Sequence, residues 1–484
     1  MMFRHGKILI TFAVMLCITL PTYSQQDFQE WLRQQQASFS EFKDKRDKAF
    51  TQFLQKDWEE FQAMQGMVRD SNPKPDEVPQ ADTGDLEPPE EDVIPKIREI
   101  EVPRPTPAPE VKPEADIPRE GTPLRMAFYG TELRFSYDET IRGAVGSPVD
   151  NKAISAYWEK LGKSDYEPQL EQLRSYREQL GLNDWGYAVL IYDVGRAIYP
   201  DSPNTCVLFT WFHLLKSDYN AQVGYGSGQV YLLLPSMNTV FDVPFLTLSN
   251  RKYFIIPLDG RKQQISQITT YEGDYPGTER VMDFSIRQSP VVKNTFTRKT
   301  FRFQYRDASY NLPVQINRNV VDFYALYPQT DIPIYFGARV SDATNGEILT
   351  ELRRILEGKS ETQAVNILLS FVQTAFDYQT DQTQFGRENY LFPEETLYYP
   401  ASDCEDRAAL FAYLVRQLLG LDVIGLDYPG HIATAVKFST DVGRSSVRYR
   451  GETYTVCDPT YINAEYGMVM PSAKNKKVSI FQIP

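Results

Sequence analysis

Cys404, His431 and Asp458 follow one another at intervals of 27 residues, and together they are the residue types of a thiol nucleophile, its base and an acid that orients the base. Around the first, SDCEDRAALFAYLVR reads as a helix start. Ser402 is the expected N-cap and Glu405 the N3 residue of a capping box, which puts Cys404 at N2. Unpaired N–H groups and the positive end of the helix dipole favour a thiolate there. Asp403 and Glu405 oppose it, and at an exposed helix end their side chains are expected to point into solvent. Helix position alone leaves the sign open, so a base is needed. YPGHIATAVKF supplies it: a Pro-Gly turn leads into a strand with His431, Ala433, Ala435 and Lys437 on one face, whose small residues leave room for a substrate. ETYTVCDPTYIN is a second strand bringing Asp458, which would hold the far imidazole nitrogen and leave the near one for Cys404. Read singly, each residue has a structural explanation: a small hydrophobe at a helix start, a satisfied strand histidine, a turn aspartate before proline.

SDCEDRAALFAYLVR, GHIATAV and YTVCDPTY, preceded by FVQTAFDYQTD, resemble the core of the transglutaminase-like superfamily, a papain-like cysteine fold, over about residues 361–462. The resemblance implies a Cys opening a helix and a His and Asp on successive strands of an antiparallel sheet, with Cys404, His431 and Asp458 as the catalytic triad. A departure is Ile432 after the histidine, where many members carry Ala-Trp. The implied reaction is attack of the thiolate on an amide carbonyl, with the acyl-enzyme passing to water or to an amine. Hydrolysis is the expectation, since nothing marks an amine-acceptor site. The oxyanion would be held by the Cys404 N–H and one upstream donor, for which Tyr398, Tyr399 and Gln373 are candidates.

Composition narrows the alternatives. Arg4 and Lys7, then ILITFAVMLCITL and PTYSQQ, read as a signal peptide over 1–24, with export to the periplasm, cell surface or medium. A lipoprotein reading of Cys17 is weakened by the bulky Leu16 before it. No later stretch is long and apolar enough to span a membrane. Cleavage removes two positive charges and no negative ones, moving the formal charge from -13 to -15 and arguing against nucleic acid as a partner. Two histidines and three cysteines remain, without CxxC or HExxH, so neither a metal nor another cofactor is expected. An odd cysteine count leaves at least one free thiol, with Cys457 read as core or as a partner of Cys206. A carboxylate-pair glycosidase has little support, because Glu394, Glu395, Asp403 and Glu405 belong to a generally acidic chain.

The elements that must position these residues divide the chain. Phe28, Phe39, Phe50 and Phe61 recur every 11 residues, each followed three later by Trp31, Phe42, Phe53 or Met64, which predicts one amphipathic helix over 25–70, able to self-associate, dock on a partner or pack on its own chain. Thirteen of the 32 prolines fall between Pro73 and Pro123, predicting an extended linker over 71–123. An α+β domain follows over 124–261, a β-rich one over 262–345, and the transglutaminase-like domain over 346–484. Residues 185–257 repeat the later plan with an offset near 202: LFTWF answers LFAYL, Ser202 stands for Cys404, Gln229 for His431, and Ile256 or Pro257 for Asp458. This suggests a degenerate copy in which no triad survives and His213 is an ordinary helix residue. The fold class is therefore α+β, and the function expected is an exported thiol enzyme acting on a peptide or protein. The rival is a non-catalytic exported scaffold using the same fold.

Overall fold

The computed structural model describes residues 30, 43–56, 58–69, 74–82, 121–261 and 265–483. The expected signal peptide lies outside them, as do 25–29 and 31–42 of the expected aromatic helix. Residues 1–50 form one unit and 51–484 the other. Helix α1 (43–54) runs from the first into the second. There the 11-residue period breaks. The Trp58 indole donates to the Leu54 carbonyl (3.0 Å), taking one of the acceptors a helix end leaves open. Residues Glu59–Gln62 then form strand β1, in which Phe61 lies opposite Ile268. Sheet pairing wins over the helical period, and Met64, the last member of the stripe, is 54% exposed.

Among the described residues, the mixed α+β body contains two large antiparallel sheets, of six and five strands, beside three two-stranded ones. After hairpin β2 (Thr122–Phe128) and β3 (Thr131–Tyr137) come helices α2 (Asn151–Lys163), α3 (Glu167–Gln179), α4 (Asp184–Ile198) and α5 (Pro203–Lys216). Strands β4 (Gln222–Gly226), β5 (Gln229–Pro235), β6 (Phe245–Leu248), β7 (Arg251–Ile255) and β8 (Gln267–Thr270) complete the first half. The stretch read as β-rich provides β8 to that sheet, then the hairpin β9 (Phe296–Tyr305) and β10 (Ala308–Asn317), and after it helices α6 (Arg318–Tyr324) and α7 (Ile332–Gly337). Helices α8 (Asp342–Leu356) and α9 (Glu361–Thr374) pack against the hairpin, and their order matches the periodicity of the sequence. Short pieces follow: β11 (Asp377–Tyr378), α10 (Asp381–Phe385), α11 (Pro393–Tyr398) and β12 (Ala401–Ser402). The chain ends with α12 (Cys404–Leu419), β13 (Val423–Tyr428), β14 (His431–Val436), β15 (Ser446–Tyr449), β16 (Glu452–Cys457) and β17 (Ser479–Gln482).

The two sheets share a topology. The first is ordered β1-β8-β4-β5-β7-β6 and the second β17-β13-β14-β16-β15. Apart from the added β1, the strands take the same places in the same chain order. Helix α5 packs on α4, β4 and β5, as α12 packs on α9, β13 and β14. Register agrees too: Gly226 pairs with Gln229 across the first tight turn, and Tyr428 with His431 across the second.

Helix α12 is buried nearly all round and is the central element of the second half. Gly420 ends it in the left-handed conformation (φ 65°), donating its N–H to Arg416 O (3.2 Å). Helix α11 lies against its start. The first turn of α11 is closed by Glu395, whose Oε2 accepts the Phe392 N–H (3.0 Å) while the side chain is 3% exposed. Burial pushes that carboxyl up to about 8, with the amide bond opposing and Glu394 adding to the rise. A folded-state value above the unfolded one means no penalty below about pH 4.5, a growing loss of stability between pH 4.5 and 8, and a constant loss beyond. Glu395→Gln, which keeps the acceptor, should flatten the fall of Tm across that window by several degrees; a wild-type slope retained in the variant would contradict this.

Candidate active site

Residues Asp403 to Arg407 build the first turn of α12. The helix begins one residue later than the sequence suggested: Asp403 is the N-cap, its N–H reaches Asp406 Oδ2 (3.3 Å), and Cys404 occupies N1. Ser402 belongs to β12 instead, where its Oγ accepts Arg407 Nε (3.2 Å). The acids also differ from expectation. Asp403, Glu405 and Asp406 do not face solvent; they are at most 2% exposed, and Cys404 is fully buried with them. Loop 377–402 folds over the helix start and supplies amide donors, Asp381 N to Asp403 Oδ2 (3.3 Å) and Leu391 N to Asp406 Oδ1 (2.8 Å).

The Cys404 thiol donates to Glu405 Oε2 (3.1 Å). Burial pushes its acidity well above the ordinary thiol range; Glu405 and Asp403 add to the rise, while Lys74 and the Ile432 N–H oppose it. In this arrangement Cys404 is a thiol, not a thiolate. The same burial holds Asp403 and Asp406 well above the usual carboxylate range and lifts Asp381 to about 7, reinforced by repulsion from Glu405 at Asp403 and from Asp403 at the other two.

His431 opens β14 after the Pro429-Gly430 turn (Gly430 φ 76°), and its Nε2 meets Asp458 Oδ2 at 2.9 Å. Asp458 follows β16, where its Oδ1 accepts the N–H groups of Thr460 (3.0 Å) and Tyr461 (3.2 Å). Burial disfavours the imidazolium, yet the Asp458 charge and hydrogen bond outweigh it and raise the His431 pKa. Its other nitrogen, Nδ1, is buried without a hydrogen-bond partner. Thus His431 and Asp458 are joined, and the N–H of the residue after His431 favours the Cys404 thiolate. The thiol proton itself is directed at Glu405.

Other expectations change. Ala433 and Ala435 do not border an open groove; they lie in a core with Tyr454, Tyr461 and Met470. Gln373 is no free oxyanion donor, because its amide is spent on Asp458 O (3.0 Å) and Ala464 O (3.1 Å). The Tyr399 ring stands edge-on to Phe385 and Tyr398. Cys206, Cys404 and Cys457 are all free, so no Cys206–Cys457 bond exists. His213 is buried between Phe209 and Phe212, and burial lowers its pKa to about 4.

Two important residues were missed. Arg407, 1% exposed, donates to Ser402 Oγ, Gln373 O (3.1 Å) and Phe376 O (2.9 Å), tying the helix start to α9. Through Gln373 that tie continues to the Asp458 turn. Its signal was available: a cation three residues after Cys404, directly following the acids of the first helical turn. Lys74 gave none. Expected in a free linker, it is buried against Asp381, Glu388, Asp403 and Glu405. Residues 74–82 are therefore docked on the globular body. Asp381, Glu388 and Glu405 bring three carboxylates within 4.8 Å of one another, the chemistry of a hard cation, as do Asp381, Asp403 and Asp406.

No family model, curated protein or solved structure matches this chain. The His431–Asp458 pair sets one expectation by itself. Asp458→Asn keeps the turn acceptor but removes the charge, so the His431 titration midpoint, followed by ring ¹⁵N NMR, should fall by about a unit or more; an unchanged midpoint would show that Asp458 does not hold the imidazole.

Proposed function

We propose that the chain is an exported thiol enzyme of the transglutaminase-like kind, cleaving amide or peptide bonds through an acyl-enzyme on Cys404. The observation that carries this reading is the state of His431. Its Nε2 is fixed by Asp458, and its Nδ1 is left buried and unpartnered one residue before Ile432, whose N–H favours the Cys404 thiolate. A base held by one nitrogen through an acid, with the other nitrogen unpartnered, is an arrangement covalent catalysis can use.

In this reading the thiol turns from Glu405 to His431 Nδ1, which takes its proton. The sulfur attacks the carbonyl carbon, and the developing oxyanion is received by the unpaired N–H groups at the start of α12. The imidazolium returns the proton to the leaving amine, and water, deprotonated by the same nitrogen, releases the acid. Hydrolysis is favoured over transfer. The first sheet is read as a degenerate copy of the same domain. Pro203 stands at its helix N1, Gln229 at the histidine's place in the hairpin, and Pro257 two positions beyond Ile255, so the copy supports structure and not chemistry.

A second reading, a non-catalytic scaffold, is favoured by one fact: Cys404 is fully buried and held as a thiol. Alkylation separates the two. With the intact chain at pH 7.5, iodoacetamide should modify Cys404, mapped by peptide mass spectrometry. His431→Gln and Asp458→Asn keep Lys74 and the pocket acids, so their ratios to wild type are read as the thiolate fraction. His431→Gln should slow modification at least tenfold and Asp458→Asn several-fold. Equal rates in wild type and His431→Gln would overturn the paired-thiol reading.

A further inference from the structure

We propose that the acidic pocket at the start of α12 is a binding site for a primary ammonium group, that of a lysine in an extended peptide, and that Lys74 occupies it in cis. The proposal rests on the reading of Cys404 as a nucleophile only for its consequence, that the occupant competes with substrate.

The pocket has a bound cation that its own elements do not supply. Lys74 reaches Asp403 Oδ2 at 2.9 Å, Glu388 Oε2 at 3.0 Å and Asp381 Oδ2 at 3.6 Å, and it is also bonded to Glu405 Oε1. One cation is in contact with four acids. Asp403 Oδ1 remains buried with no hydrogen-bond partner. A buried ammonium ion is costly unless paired, so a pocket built this way suits one. The acids raise the Lys74 pKa well above its ordinary value despite burial.

The presenting segment is laid out as a peptide ligand would be. Pro73 and Pro75 flank the lysine, and residues 74–82 belong to no helix or strand. Their attachments lie at both ends of the site, and Ala81 is buried in the core beside Tyr454 and Tyr461. Tyr378 donates its hydroxyl to Pro75 O (2.9 Å), and beyond it Ile462 accepts the Ala81 N–H (2.8 Å) and donates to Pro79 O (3.2 Å), four residues past Asp458. The segment therefore passes from the acids beside Cys404 to the turn that carries Asp458. Glu405 joins the two functions: one oxygen holds the Lys74 ammonium and the other accepts the thiol proton. Upstream, Arg69 lies over the Tyr390 ring (3.7 Å), and Lys74 lies over the same ring (5.1 Å). Two cations thus share one aromatic platform. A lysine that held the fold together would be expected on one of the packed elements. Here it arrives on a segment outside every helix and strand, far in the chain from the pocket's walls, α10, α12 and residues 386–403.

The test has three arms on the full chain. In wild type, amine acetylation at pH 8.5 should spare Lys74 while exposed lysines react; rapid acetylation of Lys74 would overturn the occupancy. Lys74→Ala should lose thermal stability and regain several degrees of Tm with millimolar Nα-acetyl-lysine methylamide, but not with the norleucine analogue. Lys74→Ala/Asp403→Asn, with less repulsion to endure, repeats the measurement if the single variant does not fold. Propylammonium as effective as the lysine amide would restrict the site to small amines and reject the peptide part. No response to either amine, or a larger response to Ca²⁺, would reject the proposal. Against Lys74→Met, which loses the same charge but keeps the bulk, Cys404 alkylation in Lys74→Ala should rise at least tenfold. Amine binding with no such rise would leave the pocket standing and count against the nucleophile.

Discussion

The second half of the molecule depends on burying Asp403, Cys404, Glu405 and Asp406 together at one helix start. Three acids and a thiol cannot be taken out of water without donors and counter-charge. The surrounding chain supplies them piece by piece: amides from Asp381 and Leu391, the ammonium of Lys74, and Arg407 bracing the strand just before the helix. Loop 377–402, irregular as it is, exists in this shape because those groups need partners. With its proton on Glu405 and acids on both sides, Cys404 is held as a thiol in this arrangement.

The two sheets place this site in a wider plan. Strand order, chain order and the register of the central hairpin coincide between them, while the chemistry does not. Where the second has a cysteine at helix N1, the first has Pro203, whose missing N–H costs nothing at that position. Where the second has a histidine fixed by aspartate, the first has an exposed glutamine. Its core is heavily aromatic instead: Trp158 meets Trp211, Phe212 and Tyr275. One half is organised around packing, the other around titratable groups.

Much of this was legible in the sequence, and the failures share a cause. The helix of Cys404, the strands of His431 and Asp458 and the hairpin turn at Gly430 follow from local patterns, since capping chemistry, alternation and turn residues act within a few positions. The N-cap was misplaced by one because Ser402 and Asp403 are both competent caps, and tertiary bonds to Arg407 and Asp406 choose between them. The rest was non-local. Phe61 leaves its helical period because a strand some 200 residues later offers an edge. Lys74 sits among acids more than 300 residues away, and nothing near Pro73 and Pro75 announces it. A proline-rich stretch was read from composition as a spacer, whereas one ion pair network was enough to dock part of it.

The central claim, that Cys404 can carry an acyl group activated by His431, is tested most directly by trapping that group. The intact chain would be treated with an activated peptidyl ester, quenched in acid within seconds, and its mass and the modified peptide determined. The account predicts one acyl group per chain, on Cys404, absent from Cys404→Ala and formed at least tenfold more slowly in His431→Gln. Failure of any acyl donor to modify Cys404, or equal acylation without His431, would contradict it.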